Sequence, residues 1–136
     1  MEGVELHDDL FMEVFWDERT RIIGIDWKDA TSSMSDEDFK AELTLFAGQV
    51  ENKKAHAILV QVAKFRHRPG PGLQSWRVQN ISTRYSAAGV KQFAFLFPQG
   101  AQIPPMLAQS SEEEKFLTRA YDNLQQAETW QTSKSD

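Results

Sequence analysis

Ala57-Ile58-Leu59-Val60-Gln61-Val62, followed by Ala63-Lys64-Phe65-Arg66-His67-Arg68-Pro69-Gly70-Pro71-Gly72, is the stretch that decides the fold class. Residues 57–62 are nearly all apolar and rich in β-branched side chains, the composition of a central strand covered on both faces. Pro69, Gly70, Pro71 and Gly72 forbid regular structure and set up a helix over 73–88. Its inward positions are Leu73, Trp76, Ile81, Tyr85 and Ala88, and Gly89 is placed to stop it in a left-handed cap. Gln92-Phe93-Ala94-Phe95-Leu96-Phe97 is a second apolar strand, ended by Pro98 and Gly100. Strand, helix and strand at these lengths make a crossover between parallel strands.

Upstream, Phe39, Leu43, Phe46 and Val50 recur at spacings of three and four, an apolar helical stripe opened by Ser35 with Asp38 three residues later. Before that helix, residues 10–16 and 21–27 read as two strands joined by Asp17-Glu18-Arg19-Thr20, a connection of hairpin length. Downstream, Pro104-Pro105 starts a helix through Met106 and Leu107 toward Glu114. Residues 116–121 read as a last strand, and Asp122 as the cap of a helix with apolar positions Leu124, Ala127 and Trp130. The expectation is one layered α/β domain over residues 1–136, a hairpin followed by alternating helices and strands in a mixed sheet, with flexible ends at about 1–8 and 132–136. The loops after Val62 and Phe97 then share the carboxyl-terminal edge of the sheet, where open α/β sheets bind ligands.

Charge is unevenly distributed. Residues 52–111 hold no Asp or Glu but carry Lys53, Lys54, Lys64, Arg66, Arg68, Arg77, Arg84 and Lys91, while the flanks hold all 20 carboxylates of a chain with net charge -5. Such a field gathers an anionic ligand or pairs one protein surface with another; the acidic flanks oppose non-specific duplex binding, and no specific nucleic acid is expected as a partner. There is no Cys, which excludes disulfides, thiolate nucleophiles and cysteine metal sites and agrees with a cytoplasmic protein. No apolar run approaches the roughly 20 residues of a membrane-spanning helix. The aromatics Phe11, Phe15, Trp16 and Trp27 exceed what one face of a short hairpin needs, and point to a homodimer through the hairpin or a helix beside it.

The order of elements resembles the SpoIIAA-like fold of STAS domains, related to SEC14-type lipid-binding domains. The similarity runs from about residue 10 to 130, carried by the aromatic hairpin, residues 57–65, the helix around Trp76, residues 91–97, and Arg119-Ala120-Tyr121-Asp122 with its following helix. The resemblance implies a non-enzymatic module that binds a partner. The serine phosphorylated in anti-sigma-antagonist STAS domains follows an Asp at the start of a helix. Ser75 lies inside the helix without that Asp, so the modification is not carried over. The chain is too short for a SEC14-type lipid cavity.

The candidate ligand-binding residues are Arg66, His67 and Arg68, with Arg77 and Arg84 as secondary members. Guanidinium groups offer planar paired donors to phosphate or carboxylate, and His67 adds a donor or a base that titrates near neutrality. The plainer reading is that Pro69 to Gly72 shape a turn while the arginines face water or pair with the acidic flanks. Catalytic machinery is scarce. A triad of Ser75, His67 and Asp26 has no nucleophile-elbow sequence behind it, and a hydrolase or acid–base enzyme centred on His67 is the alternative to a binding module. No cofactor motif is present. No pair among His7, His56 and His67 has the spacing of a helical zinc motif, and His7, Asp8 and Asp9 lie in a leader expected to be flexible, which argues against a metal there.

Overall fold

A computed structural model describes residues 3–101 and 116–132. The helix expected from Pro104-Pro105 lies outside these residues. Among them the sheet has six strands in the order β1 (Val4–Asp8), β2 (Met12–Asp17), β3 (Ile22–Trp27), β4 (Ala57–Gln61), β5 (Gln92–Leu96) and β6 (Leu117–Tyr121). The first three are antiparallel, and β3 through β6 run parallel, so the sheet is mixed as expected. The helices are α1 (Asp36–Lys53), α2 (Leu73–Arg77), α3 (Thr83–Ala88) and α4 (Leu124–Thr132). No helix of the described residues is long and apolar enough to cross a membrane.

β4 is covered on both faces. Ile58 and Val60 join the core beneath α1, α2 and α3, while Ala57 and Leu59 join a second cluster beneath α4. Because the strand order is sequential, the β3–α1–β4 and β4–α2/α3–β5 crossovers lie on one face, and α4 returns to cover part of the other. Buried amides help hold it there: Gln131 donates to the Ile58 carbonyl at 2.6 Å and Gln92 to the Trp130 carbonyl at 3.0 Å. The order does not reverse among the described strands, so the sheet has no switch-point crevice.

Ser35 and Asp38 form the capping box reciprocally, and the stripe Phe39, Leu43, Phe46 and Val50 is buried. The 73–88 helix carries a π turn over Val78–Ser82 between α2 and α3. Its inward positions run 73, 76, 81, 85, 88, and the five-residue step from Trp76 to Ile81 is what an i→i+5 turn absorbs. Gly89 closes it at φ 100°, the left-handed cap. At α4 the capping residue is Asn123 rather than Asp122: Asn123 Oδ1 accepts the Gln126 amide at 3.0 Å, while Asp122 accepts the Gly100 amide at 3.1 Å.

Two features depart from the sequence reading. Residues 4–8, expected to belong to a flexible leader, form edge strand β1 on β2, with a bulge between Glu5 and His7. Trp16 and Trp27 are core residues beneath the helices, so of the four aromatics assigned to a homodimer contact only Phe11 and Phe15 remain partly exposed.

Candidate functional site

The loop 62–72 leaves the carboxyl-terminal end of β4 and is tied down at three points. The Arg66 amide donates to Thr31 Oγ1 at 2.8 Å, and Thr31 is fully buried in a short 3₁₀ turn after β3. His67 Nε2 lies 2.8 Å from Asp36 Oδ1, and its ring packs against Phe39 and Phe65 with centroids 5.4 and 6.3 Å away. The Gly70 amide donates to both Asp36 oxygens, at 3.1 and 3.3 Å. A Cβ at residue 70 would stand 2.5 Å from Asp36 Oδ2, so any larger residue there would push this carboxylate off the turn. One carboxylate in the first turn of α1 thus fixes both His67 and the turn beyond it.

The arginines do not converge. The Arg66 side chain is 55% exposed, with Nε 3.8 Å from Asp29 Oδ1, and Arg68 is exposed with no hydrogen bond or ion pair among the described residues. Arg77 donates to Gln74 at 3.3 Å and to Ser82 Oγ at 3.3 Å on its own helix. Arg84 grips Glu51 with two bonds of 2.9 and 2.5 Å. Asp36 and Glu51 stand at opposite ends of α1, separated by about 22 Å at 1.5 Å per residue. Arg84 therefore belongs to a different region from the His67 loop. Two of the eight basic residues, Arg66 and Arg84, are answered from the acidic segment before them, by Asp29 and Glu51, and Asp36 of the same segment holds His67.

His67 does meet a carboxylate, but it is Asp36 and not Asp26, which lies on β3 opposite Glu13. Burial, with the facing Glu13, raises the Asp26 pKa. Ser75 is exposed on α2, and among the described residues no hydroxyl is hydrogen-bonded to the His67 ring. With its side chain 7% exposed, the imidazole serves as a packed anchor of the loop.

The chain matches no family model, no curated protein and no solved structure.

A second cluster joins the end of β1 and the β1–β2 turn to α1. His7 Nε2 is 2.7 Å from Asp9 Oδ2, while Asp9 Oδ1 accepts the amides of Phe11 and Met12 at 2.8 and 3.0 Å. Glu42 of α1 completes it, with one ligand atom from each of the three residues within 4.8 Å of the others. Burial, then Asp9 and Asp38, push the Glu42 carboxyl up to about 8. Burial also opposes charge on Asp9, but hydrogen bonds from His7, Glu42 and the two amides outweigh it and hold that group at about 2. The sequence reading named His7 and Asp9 but missed Glu42. Its signal was present: position 42 follows Phe39 by three and precedes Phe46 by four, an acid on the buried stripe. Asp36 had no such signal, because its partners are more than 30 residues away in sequence.

Proposed function

We propose that the protein is a non-catalytic binding or regulatory module of the SpoIIAA-like, STAS/SEC14-type kind, recognising an anionic group through the loop after β4. The ligand class is a phosphate or carboxylate, carried by a small molecule or an acidic protein surface. The element order, hairpin then alternating helices and strands, is what supports the family reading. The observation that carries the functional reading is the exposed Arg68, with Arg66 beside it, on a loop whose backbone Asp36 and Thr31 hold in place. A guanidinium on a fixed loop binds an oxyanion with less ordering cost than one on a free segment. Arg77 and Arg84, engaged elsewhere, are secondary at most. The competing reading, an acid–base enzyme centred on His67, draws on the His67–Asp36 pair. That pair is better used in positioning the loop, since the ring is enclosed by Phe39 and Phe65 and the same carboxylate holds Gly70.

Calorimetric titration with inorganic phosphate, nucleotides, small carboxylates and an acidic peptide, at two salt concentrations, tests the proposal. Loss of a charge-assisted contact predicts about tenfold or greater weakening in Arg66→Ala and Arg68→Ala, and weaker binding at high salt. Arg84→Ala leaves binding unchanged. The proposal fails if no anion or acidic peptide binds, or if Arg84→Ala weakens binding as much as Arg68→Ala. A phosphate or nucleotide response without a peptide response marks a small-molecule ligand, and the reverse marks a protein surface.

A further inference from the structure

The cluster at the β1 edge carries an inference independent of the arginine loop. His7 faces the helical layer because of the bulge in β1. Glu5 pairs with Phe15 and His7 with Val14, so Leu6 is the extra residue. Leu6 packs against the core under α1, and His7 lies opposite Val14, a member of that same core. In an unbroken strand adjacent side chains would alternate faces. A bulge re-aims one of them, a device common beside functional sites. Here it brings an imidazole to the side on which α1 presents Glu42.

Glu42 is the second observation. The residue is 9% exposed, one carboxylate oxygen is fully buried, and that oxygen has no hydrogen-bond partner. A buried carboxyl group that faces Asp9 yet leaves one oxygen without a partner has an unmet polar position. The groups that face it are acidic, Asp9 from the β1–β2 turn and Asp38 from α1 itself, together with the imidazole of His7. Lys28 is close by, but its ammonium is engaged by the Asp8 carboxylate and the Asp9 backbone carbonyl. Two carboxylates drawn together beside an imidazole form a set that a shared cation would complete.

We propose that His7 Nε2, Asp9 Oδ2 and Glu42 bind one divalent transition-metal ion of the zinc class. One nitrogen and two oxygen donors suit a borderline ion, whereas magnesium and calcium prefer oxygen alone. Ligand bonds of about 2.0–2.2 Å place donor atoms roughly 3–3.6 Å apart, so the cluster closes on an ion with side-chain movements of about 1 Å. Asp9 is pre-oriented by the Phe11 and Met12 amides on its other oxygen, as metal-binding carboxylates commonly are. His7 and Asp9 are 25% and 27% exposed, which leaves the outward side of the ion to water. The other grouping of donors, Glu5, Asp8 and Glu13, is partly exposed to solvent, Lys28 already engages Asp8, and it serves as the control.

The test uses the full chain stripped of metal with a chelator and titrated with Zn²⁺, Mn²⁺ and Mg²⁺ by calorimetry, with thermal unfolding in parallel. Co²⁺ as a spectroscopic probe reports ligand number and geometry. Zn²⁺ is expected to bind one per chain and raise Tm, with Mg²⁺ at least tenfold weaker. His7→Gln and Glu42→Gln should each lower Zn²⁺ affinity at least tenfold and abolish the Tm increase, while Glu13→Gln leaves both unchanged. Glutamine at 42 keeps the shape of the buried side chain and can donate to Asp9, and His7→Gln alters only an edge position, so a folding failure in one leaves the other decisive. The assignment is overturned if no ion binds, if binding survives both substitutions, or if Mg²⁺ binds as tightly as Zn²⁺ without regard to His7.

Discussion

Asp36→Ala is the most exposing perturbation of the binding loop, because one carboxylate holds two separate donors. It accepts from His67 at 2.8 Å and from the Gly70 amide at 3.1 Å. Hydrogen bonds to a charged group contribute about 1.5–3 kcal/mol each, and the Asp36 side chain is 40% exposed, which places each near the lower end. The His67 side chain, 7% exposed, would be left with a buried donor unpaired. Against that, Glu37 and Asp38 still supply negative charge to the first turn of α1, so the helix itself loses only a few tenths of a kcal/mol. The expected loss is about 2–3 kcal/mol in the stability of the loop, or a roughly 30- to 150-fold larger open population at a factor of ten per 1.4 kcal/mol. Native-state hydrogen exchange at the Gly70 amide measures it directly, and urea unfolding followed by tryptophan fluorescence gives the global counterpart. Asp36→Asn, which keeps one acceptor without the charge, should lose about half as much. Glu37→Gln removes a neighbouring acid that is 85% exposed and 3.6 Å from Lys40, and should change stability by less than about 0.5 kcal/mol. Wild-type exchange at Gly70 in Asp36→Ala, or an equal effect from Glu37→Gln, refutes the clamp.

Three further outcomes are expected. A double-mutant cycle on Glu51 and Arg84, whose side chains are 43% and 33% exposed, should give a coupling of about 0.5–1 kcal/mol that shrinks with added salt. The hydrogen bond from Arg84 holds the Glu51 carboxyl below its ordinary value, so this coupling is present above that value and disappears as the pH falls through the lowered one. Phe46→Ala empties a fully buried site beneath α1 and should cost about 3–5 kcal/mol in chemical denaturation. Burial raises the Tyr85 phenol above its usual range, so its contribution to stability is complete at neutral pH and is lost as alkali ionises it. Ultraviolet titrations of the wild type and Tyr85→Phe should coincide until the chain unfolds; an earlier difference would mean that the phenol reaches water in the native state.

Local chemistry made most elements legible in the chain. The run 57–62 announced a strand covered on both faces because nearly every position is apolar, and Ser35 with Asp38 announced a helix start because the capping box is complete within four residues. The helix 73–88 was readable for the same reason, but not the π turn within it, which absorbs the five-residue step from Trp76 to Ile81. β1 was not readable: an acidic strand with a bulge has no alternating pattern, and it exists only because β2 offers an edge for it to pair with. The charge boundary was visible in the sequence, but its meaning was not. Coulomb attraction depends on distance in space, and folding sets Arg84 on Glu51 and His67 on Asp36 across more than 30 residues. Composition and periodicity therefore determined which segments become strands and helices and that a polar, arginine-bearing loop follows β4. Only the tertiary structure decided which charges remain exposed on that loop, and that Glu42 meets His7 and Asp9, because those facts rest on which segments pack together.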